Sequence, residues 1–120
     1  MEMDLQIEVF KNKKHAVLSL SGEVDAYTST HFRDIMLGVI EEGLYNIVID
    51  MAMVEYIDSS GLGALVGGLK RITEKNGKIY IVSGSDQVKK VFEITGLGRV
   101  FEMFDNTEDA VSEIEKGEKA

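Results

Sequence analysis

The sequence predicts an α/β fold: a mixed, mostly parallel sheet of four to five strands, opened by an N-terminal hairpin and packed by about four helices. Three observations carry this. Segments suited to strands are interleaved with segments of helical period, in the order β-β-α-β-α-β-α-β-α. Two strand segments, Ile47-Val48-Ile49 and Ile79-Tyr80-Ile81-Val82, are apolar without a break, as strands covered on both faces require. Glycine or Asn-Gly closes the helical segments at Gly43, Asn76-Gly77 and Gly96.

The elements follow in order. Leu5, Ile7 and Val9 alternate with Gln6 and Glu8, a strand with one wet face. Lys11-Asn12-Lys13-Lys14 is a solvated turn, and Ala16 to Leu20 returns as the second strand of the hairpin. Phe32, Ile35, Met36, Val39 and Ile40 then recur at i, i+3, i+4, i+7 and i+8, the stripe of an amphipathic helix. A buried strand over 46–51 comes next, followed by a connecting segment 52–57. The helix that opens at Ser59 carries Leu62, Leu65, Val66, Leu69 and Ile72 on one side. Lys78 to Ser83 is a strand, and Val88, Val91 and Phe92 mark a short helix. Val100 to Phe104 is a last strand, and Asn106 opens a terminal helix with Ala110, Val111 and Ile114. Methionines 36, 51, 53 and 103 fall where core filler is expected.

With 120 residues the chain makes one domain over 1–120. Its core spans about 5–115, with 116–120 as a frayed tail in a mostly charged C-terminal stretch. Thirteen Lys and Arg against 21 Asp and Glu leave a net charge of −8. This balance disfavours nucleic acid or an anionic membrane as a partner, since either calls for a basic face. The absence of cysteine rules out disulfides and thiolate metal sites. The acidic Met1-Glu2-Met3-Asp4 start has no apolar core of a signal peptide, and no apolar run is long enough to span a bilayer. The expected address is cytoplasmic, and the expected state is a monomer.

The most informative stretch is Asp58-Ser59-Ser60-Gly61-Leu62-Gly63, a polar knot between a buried strand and an apolar helix. Asp58 or Ser59 in this place caps the helix. A first helical turn also has unpaired N–H groups and partial positive charge, so a serine there tolerates a phosphate. The two roles are compatible. Right-handed crossovers gather the strand-to-helix loops on one sheet edge. Three loops are expected to meet there: Asp25, Tyr27, Thr28, Ser29 and Thr30; Asp58, Ser59 and Ser60; and Ser83, Ser85 and Asp86. The group is rich in hydroxyls and carboxylates and poor in cations, with His31 and Arg33 nearest.

That inventory argues against catalysis by the chain itself. A nucleophilic serine needs a base, and phosphoryl transfer needs a cation clamp or metal. Ile57 and Asp58 stand where a nucleophile elbow requires glycine. Gly61-Leu62-Gly63 is a weak dinucleotide fingerprint whose third glycine slot is Val66, and there is no Gly-Lys-Ser/Thr phosphate loop. His15 and His31 are too far apart in the pattern to pair as ligands, so no metal and no cofactor is expected. A phosphoacceptor needs none of these groups, because the kinase brings them.

Four blocks in fixed order give the chain a family resemblance. Gly22-Glu23-Val24-Asp25, Tyr45-Asn46-Ile47-Val48-Ile49-Asp50, Tyr56 to Gly63 and Ile94-Thr95-Gly96-Leu97 resemble the motifs of the bacterial anti-sigma factor antagonists, which are single STAS domains. The resemblance covers roughly residues 5–115 and implies a STAS-type fold. It implies a partner switch: the unmodified protein binds an anti-sigma factor that is also a serine kinase, releasing a sigma factor. Phosphorylation then ends the association, and a PP2C-type phosphatase restores it. The acceptor serine falls on Ser59, with Ser60 beside it. Asp25 and Asp58 match the family's flanking acidic positions, and Thr28 and Gly61 complete the expected partner-binding set. The same domain also serves as a signalling scaffold without sigma control or as a ligand-binding module, and those readings stay open here.

Overall fold

The structure, a computed structural model, describes residues 4–119; Met1 to Met3 of the acidic start and Ala120 lie outside the described residues. Five strands form one sheet in sequence order: β1 (Leu5–Lys11), β2 (Ala16–Val24), β3 (Asn46–Ile57), β4 (Lys78–Ser83) and β5 (Glu102–Phe104). The β1–β2 hairpin is antiparallel and every other pairing is parallel. Helices α1 (Ser29–Glu41), α2 (Ser59–Thr73) and α3 (Asp86–Thr95) supply the crossovers, and α4 (Thr107–Lys119) ends the chain. This is the expected architecture.

The sheet is covered on both faces because β3 and β4 are apolar on both. Ile47, Ile49, Met51, Ile79 and Ile81 share a core with Phe32 and Met36 of α1, Leu65 and Ile72 of α2, and Phe92 of α3. On the opposite face Val48, Tyr80 and Val82 pack against Ala110 and Ile114 of α4. Each large side chain buried this way contributes about 1.5–3 kcal/mol over leaving it in water. The anchoring of Ala110 and Ile114, with a Lys14–Glu118 ion pair at 3.8 Å, accompanies a helix that continues to Lys119. The charged residues expected to fray are therefore helical.

Three other elements differ from the sequence reading. Strand β2 extends to Val24, and β3 runs on through 52–57, the segment read as a connection. The pairing shifts register between Ser19 and Ser21 and again between Gly22 and Glu23, each time placing an extra residue on β3. These bulges put Met51, Val54 and Ile57 on the buried side, a three-residue spacing that hides the strand's period of two. They also turn Met53 outward opposite Ser21, where it is 69% exposed rather than core filler. Lastly, β5 starts only at Glu102. Leu97–Arg99 form a 3-10 turn whose Leu97 carbonyl accepts the N–H groups of Val100 and Phe101, which keeps Val100 out of the sheet.

Candidate functional site

The site grows from the paired ends of β2 and β3. Val24 lies opposite Ile57, and the Asp58 N–H donates to the Val24 carbonyl at 3.2 Å. The next residues, Asp25 and Asp58, therefore begin two neighbouring loops at one sheet edge.

Asp58 is the N-cap of α2. Its backbone is extended, and Oδ1 accepts from the N–H of Ser60 at 2.9 Å and of Gly61 at 3.3 Å. The Asp58 carbonyl takes the Leu62 N–H at 3.0 Å. The Asp58 side chain thus satisfies two of the four N–H groups a helix start leaves open, and its carbonyl accepts the first bond of the helix ladder. Ser59 is the first helical residue and is exposed, while Ser60 is half-buried. Among the described residues the Ser59 hydroxyl is held by no hydrogen bond, so it is a presented group rather than one tied to a general base.

Gly61 explains how α2 comes so close. It is buried, and a Cβ on it would stand 2.7 Å from side-chain carbons of Val24 and Ile57 and 2.9 Å from the Val24 carbonyl oxygen. Gly22 acts one strand back: its φ is +120, and a Cβ would run into the Asp4 backbone.

The first loop is locked internally. Asp25 Oδ1 accepts from the Tyr27 N–H at 2.9 Å and the Thr28 N–H at 3.1 Å. Thr28 is 1% exposed; its hydroxyl donates to the Glu23 carbonyl at 2.8 Å and accepts from the Asp25 N–H at 2.9 Å. Of the residues expected to meet a partner, Thr28 and Gly61 are thus interior. They shape the surface that Ser59, Ser60, Asp25 and Asp58 form.

The third loop contributes differently from expectation. Ser83 pairs with Met51, six positions before the end of β3, and the Ser85 hydroxyl caps its own helix at the Val88 N–H. The residue that reaches the site is Gln87. Its Oε1 accepts the Ile57 N–H and its Nε2 donates to the Ile57 carbonyl, both at 3.0 Å. A side-chain amide therefore replaces the neighbour that the last residue of β3 would otherwise lack. Only a polar residue in the first turn of α3 hints at this in the sequence.

Around Ser59 the charge is negative, with Glu23, Asp25, Glu55 and Asp58 on the adjoining segments and no Lys or Arg among them. Arg33 pairs with Asp34 at 3.9 Å and lines a separate groove with Lys70 and Arg71. Tyr27 (72% exposed) and Tyr56 (42%) add apolar surface to the rim. Among the described residues no group of three or more His, Asp or Glu could hold a metal ion, and no helix is long and apolar enough to cross a membrane.

A family model described as the STAS domain matches residues 6–110. The anti-sigma-B factor antagonist of Staphylococcus aureus (strain NCTC 8325) is 33% identical over 106 residues, covering 88% of this chain and 98% of that protein. The chain belongs to the STAS domain family. Among solved structures, an anti-sigma factor antagonist from Mycobacterium paratuberculosis superposes with a TM-score of 0.85 at 23% identity, over 92% of this chain and 94% of the other. The Bacillus cell fate determinant SpoIIAA in its phosphorylated form superposes with a TM-score of 0.71 at 24% identity, over 92% and 98%. Both share the fold. In this STAS domain the Gly22–Asp25 and Tyr56–Gly63 blocks meet at Ser59, Tyr45–Asp50 leads into and opens β3, and Ile94–Leu97 lies apart from them at the end of α3.

Proposed function

We propose that this STAS domain is an anti-sigma factor antagonist switched by phosphorylation of Ser59. In its unphosphorylated form it binds an anti-sigma factor that is also a serine kinase, so that the sigma factor is released. The kinase then moves the γ-phosphoryl group of ATP onto Ser59 Oγ, with loss of the hydroxyl proton and formation of ADP. A PP2C-type phosphatase reverses the step. The observation that carries this reading is the exposed, unengaged hydroxyl of Ser59 at the head of α2, between the Asp58 cap and an acidic loop. The likeness to the Staphylococcus aureus anti-sigma-B factor antagonist supports the choice of partner.

The capping pattern favours release over internal rearrangement. A helix start usually welcomes a phosphate through its free N–H groups. Here the Asp58 carboxylate already takes those of Ser60 and Gly61, which leaves the phosphate to point outward. Pressed into an interface, a group of charge near −2 must lose water beside the carboxylates of Asp58 and Asp25. A penalty of about 3–4 kcal/mol weakens binding some hundredfold to a thousandfold. The test is pull-down of the anti-sigma factor by wild type and Ser59→Ala with and without Mg·ATP. The variant stays bound while wild type is released; equal release of both would remove Ser59 from the switch.

A further inference from the structure

The Ile94-Thr95-Gly96-Leu97 block plays no part at Ser59, yet it borders a cavity of its own. Gly96 ends α3 in the left-handed conformation (φ 75), its N–H donating to the Glu93 carbonyl, and Thr95 Oγ1 donates to the Val91 carbonyl at 2.7 Å. Between this turn and β5 opens a groove of about 310 Å³, with Phe92 and Met103 beneath and Lys89, Glu93 and Arg99 around it. The Phe92 ring is fixed edge-to-face against Phe101, with centroids 6.0 Å apart. Gly96 and Gly98 also line the groove and add no side chain to its mouth.

The groove joins positive charge to an apolar surface. In a chain of net charge −8, two cations converge on an apolar floor. Among the described residues neither Lys89 nor Arg99 forms an ion pair, so both head groups are available to a ligand. Glu93 offsets one of the two, leaving one net positive charge. An apolar floor with a few convergent polar groups and this volume is the pattern of a small-molecule site. The single surplus charge matches a monoanion, and the arginine fork matches a carboxylate.

We propose that this groove is a ligand site for a small apolar molecule bearing one carboxylate. The apolar body lies on Phe92 and Met103, and the carboxylate meets Arg99 and Lys89. The site is independent of the Ser59 switch, and its failure would leave that reading untouched.

The test is titration of the 15N-labelled full chain with octanoate, and in parallel with octanol and octylamine. Octanoate is expected to move the amide signals of residues 89–103 saturably, and the two uncharged or cationic analogues to bind at least about tenfold more weakly. Arg99→Gln and Lys89→Gln, both exposed and outside the core, each weaken octanoate binding, while Glu93→Gln strengthens it. Absence of a saturable shift, an equal response to octylamine, or shifts centred away from the groove would overturn the proposal.

Discussion

Replacing Asp58 by alanine probes the junction on which the site is built. The change removes the oxygen that accepts from Ser60 and Gly61 and leaves two partly buried N–H groups at the head of a 15-residue helix. Loss of an N-cap side chain costs about 0.5–2 kcal/mol. Because the lost acceptor is ionised and serves two donors, the upper end applies, about 1.5–2 kcal/mol. With a urea slope of about 1.5 kcal/mol per molar for a domain of this size, the unfolding midpoint falls by about 1 M. Asp58→Asn keeps an acceptor oxygen and forfeits only the favourable charge at the helix start, about 0.5 kcal/mol. Equilibrium urea unfolding of the three proteins reads both effects. An alanine variant with the wild-type midpoint, or an asparagine variant as unstable as alanine, would refute the capping argument.

Other substitutions test the supporting parts. Gly61→Ala forces a Cβ into Val24 and Ile57 and is expected to cost about 1–3 kcal/mol in urea unfolding, against little change for Gly63→Ala, where a Cβ meets open space. Gln87→Ala removes both hydrogen bonds to Ile57; hydrogen exchange at the Ile57 amide should speed up by about tenfold or more while core amides of β4 keep their protection. Burial, then the nearby carboxylates of Glu102, Glu113 and Glu118, raise the Tyr80 pKa above its ordinary value near 10. The folded chain thus holds this proton more tightly than the unfolded one. The resulting stability is complete below about pH 10 and is lost as pH climbs through the raised value. Tyr80→Phe should therefore lose less stability than wild type between neutral pH and pH 11, measured by urea unfolding.

Much of the fold was legible because its signals are local. The unbroken apolar runs of β3 and β4 marked a sheet covered twice, and the stripe from Phe32 to Ile40 marked α1. Asp58 as a cap could be read from the change of period on either side of it. The parts that escaped depend on partners distant in sequence. The second half of β3 was hidden because two bulges against β2 replace alternation with a three-residue spacing, which also sends Met53 outward. Thr28 looked like one more surface hydroxyl, and only the fold of its loop makes it an interior latch between Glu23 and Asp25. Gln87 reaches a strand end 30 residues away, a relation that no spacing rule encodes.

The central claim is that Ser59 carries the switch, and intact-mass analysis coupled to a binding titration tests it most directly. Wild type and Ser59→Ala are incubated with Mg·ATP and the anti-sigma factor, weighed, and titrated against fresh anti-sigma factor. The account predicts one added phosphoryl group on wild type and none on Ser59→Ala. It also predicts that the phosphorylated protein binds about a hundredfold or more weakly than the unmodified one. A phosphoryl group on Ser59→Ala, or undiminished affinity after phosphorylation of wild type, would contradict it.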